Sequence, residues 1–172
     1  MIQQSKWLER EFQFNIEVGS YPCIIERLRG TPARLEDIIN PLPQRILTLR
    51  ENMSWSIQEH VGHLLDLGEL DDRRLEDYRT SREMLSAWDI INRKTIEAEH
   101  NSKPIQDILT RFRKSRLDLV KKLEQFTEEE VSRSAIHPRL KRSMRVVDWC
   151  WFVAEHDDHH LARISELKRL FP

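Results

Sequence analysis

Glycine is scarce in this chain, four in 172 residues, and apolar and polar residues seldom alternate with period two. Hairpin signals are correspondingly few, which argues against a β-rich fold and for helices throughout. Cysteine is scarcer still. Cys23 and Cys150 do not make a disulfide framework, no basic-then-apolar signal segment opens the sequence, and a reducing cytoplasm is the expected compartment. No apolar run approaches the roughly 20 residues that a membrane span requires. A surplus of one charge is also missing: 28 Lys and Arg stand against 29 Asp and Glu, interspersed along the chain. Nucleic-acid binding, which needs a basic surplus or stripe, is therefore not expected. The one local basic cluster, Arg139, Lys141, Arg142 and Arg145, reads as a solvated loop, with attraction for an acidic small molecule as the alternative.

What is present is helical periodicity, on a length that suits one domain over residues 1–172 with its core at about 20–170. A first helix is expected from about Ser20, carrying Ile24, Ile25, Leu28, Leu35, Ile38 and Ile39, with an interruption or kink at Gly30-Thr31-Pro32. Ser56 and Glu59 have the spacing of a capping box and start a second helix that runs to about Tyr78. Its stripe of Ile57, Val61, Leu64, Gly68 and Leu75 adjoins one of His60, His63, Leu67 and Leu70. Residues 79–103 read as a loop with a short helix, a third helix starts near Pro104, and Thr127 caps an extra turn. The segment from Arg133 to Arg142 reads as a loop, and Ser143 as the cap of a last helix over about 144–170. The expected fold is all-α, a four-helix bundle with a long connection between its second and third helices.

Seven histidines are the chemical feature of the sequence, and His156 and His160 are the most telling pair among them. Residues at i and i+4 lie one above the other on a helix, so both imidazoles can reach one ion. They replace apolar residues in the inward stripe of Trp149, Phe152, Val153, Ile164 and Leu167. A third ligand must come from another helix, and His63, beside the core stripe of the second, is the candidate. Buried imidazoles without partners cost free energy, whereas one divalent cation satisfies the neutral form of all three. The competing reading is a metal-free core of hydrogen-bonded histidines.

Two known motifs fit less well. The zincin H-E-x-x-H has the same histidine spacing, but Asp157 replaces glutamate at its second position and only twelve residues follow His160 to supply a downstream ligand. Di-iron bundles need a Glu-x-x-His on each of two helices, and Glu97-Ala98-Glu99-His100 matches once, outside the strong helices.

Over roughly residues 20–170 the chain resembles the DinB-like superfamily. The resemblance is carried by Glu26 to Arg34, by Trp55 to Asp66, by His137-Pro138-Arg139-Leu140, and most specifically by Asp148 to Ile164. It implies a four-helix bundle holding one divalent ion by a histidine of the second helix and an H-x-x-x-H pair of the fourth. Position by position these fall on His63, His156 and His160, with His60 and His159 as neighbours of the matched positions. Arg163 stands where glutamine is frequent. The resemblance further implies thiol-activating transferase or hydrolase chemistry, with low-molecular-weight thiols among the substrates.

The reading that follows is a cytoplasmic enzyme acting on a small molecule, with one divalent ion per chain: zinc first, then nickel, iron or manganese. Asp157, His159, Asp66 and His100 are candidates for orienting ligands or moving protons. The alternative is a non-enzymatic protein that uses its metal for stability or interaction. A homodimer is expected from relatives and from Trp7, Phe12 and Phe14, which precede the bundle and either meet a second chain or cover the chain's own core.

Overall fold

Ile24, Ile25, Leu28, Leu35 and Ile39 share one stripe, and burying it draws Tyr21–Ile39 into a continuous helix, α1. A computed structural model describes residues 4–171. The expected interruption at Gly30-Thr31-Pro32 is absent. Proline inside a helix costs about 3 kcal/mol, and here packing outweighs it, because Thr31, Pro32 and Leu35 are all buried. One turn before Pro32 the Arg27 carbonyl accepts from Thr31 Oγ1 at 3.3 Å and from Arg34 Nη2 at 3.2 Å.

A single turn, α2 (Gln44–Leu47), leads to the second long element, which is two helices rather than one: α3 (Ile57–Asp66) and α4 (Gly68–Arg79). The capping box at its start is as expected, with Ser56 accepting from Glu59 N–H and Glu59 accepting from Ser56 N–H. The break falls at Leu67, whose backbone stays right-handed. At Gly68 a Cβ would stand 2.3 Å from Ser115 Oγ, so the bare backbone lets α4 cross close to the third helix. The long connection that follows contains α5 (Arg93–Glu97) and a 3₁₀ turn at His100–Ser102. Then come α6 (Ile105–Leu123) and α7 (Glu128–Val131), capped by Thr127. The last helix, α8 (Val146–Leu170), packs on α1 and α3, and both of those pack on α6. The four-helix bundle is thus α1, α3 with α4, α6 and α8. No helix among the described residues is long and apolar enough to cross a membrane.

The segment expected to be a loop before α8 is instead a hairpin. β1 (Ser134–His137) pairs antiparallel with β2 (Arg142–Arg145), Ser134 opposite Arg145 and His137 opposite Arg142. Lys141 takes the left-handed conformation (φ 53°) that the turn requires, so the usual Asn-Gly or Asp-Gly signature is missing. Ser143 lies within β2, and α8 begins only after Arg145, whose N–H donates to Asp148 Oδ2 at 3.1 Å. Trp7, Phe12 and Phe14 pack on Phe152 and Trp151 of their own chain, and Phe12 is buried. The dimer expectation loses the residues it rested on in the sequence.

The core is not continuous. One apolar cluster surrounds Trp149, Tyr78, Val120 and Leu28, and a second surrounds Phe112, Leu64, Ile164 and Leu35. Between them every long element places polar residues inside the bundle: Thr31 on α1, His63 and Asp71 on α3 and α4, Arg116 on α6, Asp157 and His160 on α8. This buried polar belt is where the site lies.

Candidate metal centre

Helix pitch alone brings two members of the belt together. His156 and His160 stand one turn apart on α8, with their Nε2 atoms 3.2 Å from each other. His63 arrives from α3, its ring centroid 5.5 Å from that of His156 and 4.9 Å from that of His160. One nitrogen from each of the three lies within 4.8 Å of the others. Trp55 closes one side, stacked over His160 and 4.7 Å from His63 between centroids.

Hydrogen bonds determine which nitrogens are free. His63 Nδ1 is 3.2 Å from Thr95 Oγ1 of α5, and His160 Nδ1 is 2.8 Å from Nδ1 of His60. Both contacts occupy Nδ1 and leave Nε2 to converge on the centre. If His160 keeps its proton on Nδ1, His60 accepts it and must carry its own proton on Nε2. That atom is buried with no hydrogen-bond partner among the described residues.

Burial keeps these imidazoles neutral. It pulls His63 down to about 4 and His60 to about 3, the neighbouring histidines adding to the effect at His60. His156 and His160 are pushed well below the usual histidine range by burial and then by their neighbouring imidazoles. Neutral imidazole is the ligating form. The spacing also suits a metal: two tetrahedral ligands at 2.0–2.1 Å from a zinc ion stand about 3.3 Å apart, close to the observed Nε2 separation. The donor set therefore fits a divalent ion; without one, the same contact is a hydrogen bond in which one of the two imidazoles donates its N–H to the other.

A pocket of about 290 Å³ opens onto His63 and His156. Trp7, Leu67, Leu70, Trp88 and Phe152 form apolar walls, and Trp7 meets His156 edge-on at 4.8 Å between centroids. Asp71, Arg74, Arg116, His137, Arg139 and Asp157 supply polar ones. His137 accepts from Leu140 N–H through Nδ1, and burial pulls its pKa down to about 3. Burial pushes the Asp71 carboxyl up to about 6, with Arg116 acting in the opposite sense.

The four weaker candidates separate. Asp157 does reach the pocket, but its carboxylate is taken up by Arg116 Nη2 at 2.8 Å and Thr31 Oγ1 at 2.9 Å. His159 lies half-buried beside the pair and outside the pocket lining, its ring 5.6 Å from that of Trp7 between centroids and its Nδ1 3.0 Å from Gln4 Nε2. Asp66 and His100 pair with each other at 2.8 Å, outside the pocket lining, and the His100 ring lies flush on the backbone of Gly62. Arg163, in place of glutamine, binds Glu51 and Glu166 instead of the histidines. Sequence reasoning passed over Thr95, Asp71, Arg74 and Arg116, and named His60 and His137 without giving either a part in the site. Asp71 and Arg74 carried a signal, since charges at those positions extend the inward stripe of Leu67 and Leu70.

Sequence comparison decides the lineage, with a match to the DinB superfamily over residues 27–164. The chain belongs to the DinB superfamily. Its fold is similar to that of YfiT from Bacillus subtilis, described as "a probable metal-dependent hydrolase with an unusual four-helix bundle topology". The TM-score is 0.80 at 19% identity, over 94% of this chain and 93% of that one. A mycothiol-dependent maleylpyruvate isomerase is also similar, with a TM-score of 0.67 at 9% identity over 88% of this chain and 62% of the isomerase. At such identities the likeness is one of fold. No curated protein matches the chain.

Proposed function

We propose that this DinB-superfamily chain is a metal-dependent enzyme in which His63, His156 and His160 hold one divalent ion, zinc first among the candidates. The observation that carries the reading is the convergence of three neutral imidazoles, His63 and His160 buried and His156 half-buried, at one edge of a pocket large enough for a small molecule. The pocket also favours an enzyme over a metal used for stability alone, which would need no such space beside the ligands. An ion held there supplies Lewis acidity, favouring the deprotonated form of a water or thiol that reaches it.

The chain's own residues do the rest. His60 and Thr95 hold the rings of His160 and His63 in orientation, as outer hydrogen bonds do at histidine metal sites. Trp7, Trp88 and Phe152 keep water from the pocket walls, and Asp71, with its raised pKa, can exchange a proton near neutral pH. The reaction is transfer of a small thiol to an electrophile, or hydrolysis where water takes the thiol's place. The description of YfiT supports hydrolysis, and the thiol dependence of the isomerase supports the first option.

Cobalt tests both parts. Stripped protein should take up one Co²⁺ per chain, His63→Ala and His160→Ala should each lose tight binding, and a cysteine-derived thiol should add a sulfur-to-cobalt charge-transfer band. Full occupancy in both variants removes the ligand assignment. A saturated cobalt protein that gives no such band with any biological thiol removes the transferase reading.

A further inference from the structure

The pocket beside His63 and His156 contains more positive charge than the chain neutralises. Three guanidinium groups line it, Arg74, Arg116 and Arg139, against the carboxylates of Asp71 and Asp157. Arg116 is 4% exposed and spends Nη2 on Asp157, while its Nη1 stands 3.7 Å from Asp71, and Nε and Nη1 are buried without a hydrogen-bond partner among the described residues. Arg74, 5% exposed, spends Nε on the Ser86 carbonyl at 3.0 Å and forms no ion pair among the described residues. Arg139 makes neither an ion pair nor a side-chain hydrogen bond among them, and burial lowers its pKa. Arg74 and Arg139 are close enough to lower the pKa of buried His137 together.

Arginine has no way to relieve this situation by itself. A buried lysine or histidine sheds its proton, but a guanidinium stays charged in proteins. Charges held out of water without counter-ions are costly, and an anion entering the pocket removes that cost. The guanidinium fork matches a carboxylate through two parallel hydrogen bonds. Around these groups the walls are hydrocarbon and aromatic, and the volume is near the lower end of small-molecule pockets, about 300–1,000 Å³.

We propose that Arg139 and Arg74, assisted by the free edge of Arg116, form a carboxylate clamp for a small molecule whose apolar or aromatic body lies among Trp7, Trp88 and Phe152. With one end so held, the other reaches the histidine centre, so the clamp selects substrates that are carboxylic acids. Its role in catalysis rests on the metal-dependent reading above; the binding of the carboxylate does not.

The test therefore uses metal-stripped protein and an isosteric pair, 3-phenylpropionate and 3-phenylpropionamide, titrated by calorimetry. The acid should bind about tenfold tighter than the amide, and rising salt should erode the difference. In Arg139→Gln, whose side chain is at the pocket edge and whose folding is checked by circular dichroism, the preference should fall to about threefold or less. Arg139→Lys keeps the charge without the fork and should lie between the two. Equal affinities in the wild type, no heat from either compound at millimolar concentration, or an undiminished preference in folded Arg139→Gln each overturn the clamp. So does an acid preference that appears only after metal is restored, since the ion would then be the carboxylate's partner, and so does inorganic phosphate displacing the acid at equal affinity. A protein that takes up no ion yet keeps the acid preference retains the clamp and removes the metal-dependent function.

Discussion

Gly62, one residue before His63, has no room for a side chain. A Cβ added there would lie 2.2 Å from Cγ and Cδ2 of His100 and 2.6 Å from its Nδ1, against an ordinary contact of 3.4–4 Å. The ring has little freedom to retreat, being 2% exposed and tied to Asp66 at 2.8 Å. Overpacking of a core costs about 1–3 kcal/mol, and an overlap this deep against a pinned ring belongs at the upper end. Alanine in a helix interior gains about 1 kcal/mol over glycine. Gly62→Ala should then destabilise the wild type by about 2 kcal/mol, a drop in Tm of roughly 4–8 °C at this chain length. With the ring removed, only the gain remains. In His100→Ala, the same substitution should stabilise by about 1 kcal/mol, giving a coupling of about 3 kcal/mol in the double-mutant cycle. Thermal melts of the four proteins read it, and any direct cost of His100→Ala cancels in the cycle. If Gly62→Ala costs the same in both backgrounds, within about 0.5 kcal/mol, the close approach of His100 to α3 is wrong.

Stability of the metal-stripped protein should fall as pH drops below about 6.5, where free histidine titrates, because burial holds His60, His63 and His137 at about 3, 4 and 3. The unfolded chain takes up these protons while the folded one does not, a loss of roughly 1.4 kcal/mol per pH unit for each histidine that stays neutral. Asp71, pushed up to about 6, has the opposite sign and offsets one of them as pH falls further. Urea midpoints that stay flat from pH 7 to pH 5 would contradict this balance. Asp157→Asn leaves Arg116 buried without its nearest counter-charge and should cost about 3–5 kcal/mol in urea unfolding, a loss below about 1 kcal/mol counting against the pair. His60→Ala should weaken divalent-ion affinity by about 10–100-fold in chelator competition, although no proposed ligand is removed; unchanged affinity would show that His160 needs no orienting partner.

Local regularities made part of this molecule readable in advance. The 3.6-residue pitch alone places His156 over His160, wherever α8 packs, and the apolar stripes around them told which way both face. The Ser56–Glu59 and Thr127–Glu130 boxes are likewise short-range, so their helices start where the residues indicate. Pro32 was misread because its local cost is visible in sequence and the burial that outweighs it is not. The hairpin was missed because Lys141, rather than glycine or asparagine, bears its positive φ, and because His137 and Ala135 face inward over only two alternations.

The composition and order of residues by themselves determined a helical bundle with histidines on inward faces of two helices. Which of His60 and His63 points its free nitrogen at the α8 pair was decided by the rotation of α3 against α8, since two residues three apart share one face. Tertiary structure likewise paired Asp157 with Arg116 across 41 positions, and brought Trp7 from the start of the sequence and Trp88 from its middle to wall one pocket. Periodicity reports which face of a helix avoids water. What that face meets depends on how the helices pack, and that is a balance of burial, charge and close contact summed over the whole bundle.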